Sequence, residues 1–193
     1  MRQLILAISG IALLAQTGAL AEPPAFTMAS ATMLTRAGLP SVEAAKASLS
    51  ASLTGTRHPQ WIDIPAGTTT VRSFVVFPDR EDGSAPVVVI TANNQGMSDW
   101  LRAVGDDAAK AGFVAIVPDL LSGMGPNGGG TDAFASDESA LRTMSSQRAE
   151  IDRRAAAVNS YAIDMPGSNG HAAAVTFQFA NGASRIDTTI VPS

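Results

Sequence analysis

The chain has 193 residues, a formal net charge of −4, 46% hydrophobic and 16% charged residues, and no cysteine. That balance excludes a disulfide-stapled scaffold, thiol chemistry and a basic nucleic-acid face. The length suffices for one domain with a sizeable core.

Residues 1–21 read as a signal peptide: Arg2 supplies the positive end, "LILAISGIALLA" the short apolar run, and Ala19-Leu20-Ala21 an A-x-A cleavage site. The run falls short of the roughly 20 residues of a membrane span. A secreted or periplasmic protein with no membrane attachment after cleavage is therefore expected. Residues 22–56 read as a lead-in, rich in Ala, Pro, Thr and Met over 22–40, with a short helix over 41–53 opened by Ser41 and patterned by Val42, Ala45, Leu49 and Leu53. Residues 57–193 read as one α/β domain.

Within that domain "QWIDIPA" and "TTVRSFVVFP" alternate as two strands with a turn at Gly67. "PVVVIT" has no polar alternation, as expected of a strand buried on both faces of a parallel sheet. Ser98 predicts the N-cap of a helix whose Trp100, Leu101, Val104 and Ala108 share a face, with Gly112 as the stop. "FVAIVP" is a second buried strand, so strand, helix and strand form a βαβ unit, right-handed by rule. Residues 121–135 predict a glycine-rich loop. A long helix follows, with Met144, Ile151, Ala155, Val158, Ala162 and Met165 on one face and Glu150, Asp152, Arg153, Ser160 and Asp164 turned away. "AAAVTFQF" and "IDTTIVP" read as two last strands.

The chemistry-bearing motifs are few. Gly123 to Gly128 match G-x-G-x-x-G, but Asp119 to Ser122 separate them from the strand and more glycine follows instead of a helix, so a flexible loop is expected. The loop Thr91 to Gly96 follows the first buried strand. Its Asn93, Asn94, Gln95 and Gly96 are candidates for an oxyanion or pocket loop, or for an ordinary turn. Asp119 and Ser122 could border a pocket, although an Asp at a strand end commonly caps backbone N–H groups. Trp61 and Trp100 read as core or rim packing. Pro166-Gly167-Ser168-Asn169-Gly170 is one residue away from the G-x-S-x-G nucleophile elbow, which makes Ser168 the candidate nucleophile. An elbow needs a strand before it, whereas the helical stripe runs up to Met165. The two histidines, His58 and His171, do not stand where a late-strand base would, and no His/Asp/Glu spacing suits a metal.

On "WIDIPAG", "VRSFVVFP", "APVVVI", "QGMSDWLRAVGDDAAKAGFVAIVPDLLSGMGPNGGGTDAF" and "YAIDMPGSNG", the chain resembles the dienelactone hydrolase family in its secreted form. The resemblance covers residues 57–191 and is most specific over Gln95 to Phe134. It implies an α/β-hydrolase fold, mostly parallel and flanked by helices, and hydrolysis of small carboxylic esters or lactones by a Cys-His-Asp triad without cofactor or metal. This chain departs from the pattern. Thr91-Ala92 stand where the family has His-Glu. "PGSNG" matches the family's P-x-x-N-G loop, and "HAAAV" matches the strand that follows that loop and leads to the elbow. "TFQFANG" then resembles the helix that follows the elbow, as if the elbow segment were missing, and the sheet is expected to be truncated at its C-terminal side. The function expected is hydrolysis of small esters or lactones with an incomplete triad. The alternative is a non-catalytic, secreted small-molecule-binding protein on the same scaffold.

Overall fold

The computed structural model describes residues 59–79, 83–93, 95–180 and 183–192, together with Ser41, Glu43, Ala44, Lys46, Ala47 and Ser50. The expected leader, most of the lead-in, His58 and Asn94 lie outside the described residues. The described part of 41–50 is helical after Ser41, whose Oγ accepts from the Ala44 N–H at 3.2 Å, as an N-cap does.

Six strands form one sheet among the described residues. They are β1 (Gln60–Ala66), β2 (Thr69–Val76), β3 (Ala85–Ala92), β4 (Val114–Pro118), β5 (Ser168–Ala180) and β6 (Ala183–Val191), in the order β1-β2-β4-β3-β5-β6. β3, β4 and β5 are mutually parallel neighbours, while β2 and β6 run against them. The core strands are parallel because they are linked by helices: α1 (Asp99–Lys110) between β3 and β4, and α2 (Asp137–Ser146) with α3 (Arg148–Asp164) between β4 and β5.

The apolar runs produce a two-layered core. Val87 and Val89 of β3, with Val114 and Ile116 of β4, face α3 through Ile151, Val158, Ala162 and Met165. Val88 and Ile90, with Ala115 and Val117, face α1 through Leu101, Val104 and Ala108. A strand covered on both faces has no room for polar alternation, which is why these segments read as continuous valine and isoleucine. Ser98 caps α1 as its sequence predicts, accepting from the Leu101 N–H at 3.3 Å. Gly112, with φ +94°, turns the chain into β4. Trp61 is a rim residue, 44% exposed and edge-on to Phe74, and Trp100 packs edge-on against Phe177.

Two expectations need correction. The long helix is two helices, broken at Gln147. Thr143, Ser145 and Ser146 each turn a hydroxyl back onto a carbonyl of the preceding turn (Ser139, Leu141 and Thr143), a habit that weakens and bends helices. "TFQF" is not helical either. It continues β5, and Ala180 stands opposite Ala183 across Asn181-Gly182, a dipeptide favoured in two-residue hairpins. The reading of this stretch as strand holds, and its likeness to a helix does not.

Candidate functional site

In open α/β sheets the carboxyl ends of the parallel strands are where ligands bind. Here those ends are Ala92 of β3, Pro118 of β4 and the part of β5 level with them, since Ala92 pairs with Phe177. Two pockets open there. The first, of about 130 Å³, is lined by Thr91, Ala92, Asn93 and Thr176 from the strand ends, by Leu120, and by Met144, Ser145, Arg148, Ile151, Asp152 and Ala155 from α2 and α3. Its size is comparable with cavities that admit a benzene-sized molecule. Its polar groups form two pairs: Thr91 and Thr176 at the strand ends share a hydroxyl–hydroxyl hydrogen bond of 3.0 Å, and on α3 Arg148 Nε donates to both Asp152 oxygens at 2.9 and 3.1 Å. The Arg148–Asp152 pair is solvent-exposed, so it orients the rim and adds little stability.

The second pocket, a broader groove of about 670 Å³, lies beyond β4 and takes in Trp61, Arg72, Asp119, Ser122, Gly128 to Gly130, Thr131 and Arg154. Asp119 and Ser122 are brought together here, and both are tied into the loop. Asp119 accepts from the Leu121 N–H (3.1 Å), the Thr131 N–H (2.9 Å) and the Thr131 hydroxyl (2.6 Å). Ser122 Oγ donates to Asp119 O at 2.6 Å and accepts from the Arg72 N–H at 2.9 Å. The glycine loop spends its N–H groups on itself: Gly125 on Gly129 O, Gly128 on Gly125 O, and Gly129 on Pro126 O. It is a folded loop rather than a phosphate cradle.

The other expected site residues are dispersed. The Asn93 backbone N–H is bonded to Phe177 O at 3.0 Å, so the continuation of β5 consumes a donor that an oxyanion site would use. Gln95 is exposed, and Gly96 packs against the Thr131 side chain. Ser168 opens β5 and pairs with Ala85 at the amino end of the sheet. Seven residue steps along β3 separate that level from Ala92, about 23 Å at 3.3 Å per residue. Its Oγ accepts from the Gly170 N–H at 3.1 Å, closing a local turn, and Gly167 before it has φ +86° and lies against Phe77. His171 is exposed three residues further on. The turn that precedes β5 therefore sits at the end of the sheet opposite the pockets.

Arg154 escaped the sequence reading. It is 4% exposed and donates through Nη1 to Leu120 O (3.1 Å) and Ser122 O (2.6 Å), and through Nε to Glu150 Oε1 (2.8 Å). The signal was present: position 154 falls on the stripe between Ile151 and Val158, and an arginine there has to be paired. Glu150, expected to point away, holds both neighbours, and hydrogen bonds from Arg153 and then Arg154 draw its carboxyl down to about 2. Arg153 also donates to Ala66 O at 2.8 Å, tying α3 to the β1–β2 turn.

The family model for dienelactone hydrolases matches residues 71–179, more than half of the chain. A hydrolase fragment so named in Escherichia coli K12, YghX, is 37% identical over 68 residues, 35% of this chain and 58% of that one. Among solved structures, a dienelactone hydrolase-like promiscuous phosphotriesterase from metagenomic libraries superposes with TM-score 0.51 at 23% identity, covering 65% of this chain and 50% of its own. A structure described as a dienelactone hydrolase of Klebsiella pneumoniae gives TM-score 0.52 at 19% identity, covering 65% and 51%. The chain thus spans about half the length of these structures, whose likeness establishes the α/β-hydrolase fold. Because the matched residues run from β2 through the β3–α1–β4 crossover and into β5, the chain belongs to the dienelactone hydrolase family.

Proposed function

We propose that this chain serves small carboxylic esters or lactones on its family's hydrolase scaffold, and that its own residues supply recognition rather than turnover. The observation that carries this reading is the course of β5. The strand passes the level of Ala92 without a turn, puts the Thr176 hydroxyl on Thr91, and spends the Asn93 N–H on Phe177. A nucleophile needs an exposed position on a sharp turn and a base within hydrogen-bond reach. Neither is found among the described residues around the pocket, whereas two hydroxyls, an amide and a guanidinium over an apolar floor suit a small carbonyl or carboxylate ligand. The leader read in residues 1–21 supports placement outside the cytoplasm.

Thermal unfolding with γ-butyrolactone, with ethyl acetate and with acetate tests the recognition half. A ligand at a hundred times its Kd is expected to raise the midpoint by roughly 5–10 °C, and Thr176→Val should reduce that rise while lowering the unliganded midpoint by only about 1–5 °C, the cost of its bond to Thr91. No rise with any of the three compounds would count against the reading. The competing reading, hydrolysis by this chain itself, is favoured by family membership alone.

A further inference from the structure

We propose that the turn Ser168-Asn169-Gly170-His171 modifies itself: Asn169 loses its amide to attack by the Gly170 nitrogen and ends as aspartate or isoaspartate. An asparagine followed by glycine offers this attack the least hindrance, since glycine has no side chain beside the attacking nitrogen. The chain has such pairs at Asn127, Asn169 and Asn181. At Asn169 the turn before β5 adds three features. The backbone there is not held by ladder pairs: β5 meets β3 at Ser168 with Ala85 and next at Ala172 with Val87. Asn169, Gly170 and His171 therefore stand opposite Pro86 alone, which has no N–H to give. Pairing with β6 begins at Ala172.

The carbonyl under attack is already polarised. Asn169 Oδ1 accepts from the His171 N–H at 3.2 Å, a bond that strengthens as the oxygen takes on negative charge. The attacking nitrogen has an exit for its proton, because the Gly170 N–H donates to Ser168 Oγ at 3.1 Å. Gly170 is exposed at φ +84°, with nothing within 4 Å of where a Cβ would stand, so water reaches the turn and a ring has room to close.

Water is the one co-reactant. Gly170 N joins Asn169 Cγ while its proton passes through the Ser168 hydroxyl to solvent. The Cγ–Nδ2 bond breaks, and Nδ2 leaves as ammonia with a proton taken from water. Water then opens the cyclic imide at either carbonyl, giving aspartate, or an isoaspartate with one more methylene in the main chain. Either product adds a negative charge. Asn127 is the internal contrast: the Gly128 N–H is bonded to Gly125 O inside a folded loop, and the Asn127 side chain accepts no N–H among the described residues. The near-elbow sequence thus has a chemistry of its own, independent of what the pocket binds.

Peptide mapping by mass spectrometry tests this on the purified chain aged at mildly alkaline pH, with fragmentation to assign the position and enzymatic methylation to detect isoaspartate. In the folded chain Asn169 is expected to convert at least about tenfold faster than Asn127, and in urea at a similar rate to it. Ser168→Ala should slow conversion at 169 about fivefold, the worth of one hydrogen bond, and leave 127 unchanged. Gly170→Ala should nearly abolish it at 169; if that variant fails to fold, because φ is +84° there, Ser168→Ala still decides. Conversion at 127 as fast as at 169 overturns the proposal. So does a rate at 169 that Ser168→Ala leaves unchanged, or a preference for 169 that persists in urea, since either assigns the reaction to the dipeptide and not to the turn.

Discussion

Replacing Arg154 with methionine is expected to cost about 2–4 kcal/mol of stability and to loosen the loop after β4. The side chain is 4% exposed and makes three charge-assisted hydrogen bonds, two of them to the carbonyls of Leu120 and Ser122. Methionine preserves much of the packing but donates nothing, so those carbonyls lose their partner beneath α3. The loss stays below the sum of three such bonds because burying the guanidinium itself carries a desolvation cost. Urea unfolding at pH 7 measures the loss, and in a domain of this size it corresponds to a midpoint roughly 5–15 °C lower. The acid limb gives a second readout. Glu150 has a carboxyl held down at about 2 against 4.5 ordinarily, so its contribution is present above about 4.5 and disappears as pH falls from there toward 2. With Arg154 gone the carboxyl moves back up, and the variant should lose less further stability than the parent across that window. An unchanged acid limb would mean that Arg153 alone holds the group.

Gly130→Ala is expected to cost about 2–3 kcal/mol and to strip the protection of the Thr131 and Leu121 amides from hydrogen exchange. Gly130 lies in extended backbone, so strain is not the reason. A Cβ there would overlap Asp119 Oδ2, the oxygen that accepts the Thr131 N–H. Asp119 would have to rotate away, and its three accepted bonds go with it. The bond from the Met97 N–H to the Thr131 hydroxyl, which joins the loops after β3 and β4, would then be lost as well. Gly128→Ala is the control: φ is +76° with nothing near the added Cβ, so about 1 kcal/mol of backbone strain and no loss of Asp119 bonds is expected. Equal effects at the two glycines would show that Asp119 does not organise this loop.

Much of this architecture was legible in the residues because the physical signals are strong where the sheet is deepest. "VVVI" and "VAIV" can be nothing but doubly covered strands, Ser98 stands where α1 needs an acceptor, and Met144 through Met165 mark the face that α2 and α3 bury. The break at Gln147 was not legible, because the hydrophobic period continues across it while the local cause lies in serine and threonine hydroxyls. Arg154 was hidden by its charge: arginine is ordinarily assigned to solvent, and only its position on the stripe betrays it. The stretch after Val175 carried two messages. Its own alternation and Asn181-Gly182 spell a hairpin, and its likeness to family members spells a helix. The backbone follows the former, since Val175 and Phe177 are buried against α1's side of the sheet and β6 satisfies the outer edge of β5. Asp119 and Ser122 line the groove beyond β4, and their bonds are those of loop organisers.

On the proposed reading that hairpin governs what the pocket does, because it fills the place where a nucleophile would turn outward. The most direct measurement is the initial rate of p-nitrophenyl acetate hydrolysis by the purified chain beside its Ser168→Ala variant. Both are expected to match the protein-free rate, because Ser168 lies at the amino end of β5, about 23 Å from the strand ends that form the pocket. Turnover above that rate, abolished by Ser168→Ala, would contradict the reading, by placing the nucleophile in the turn before β5.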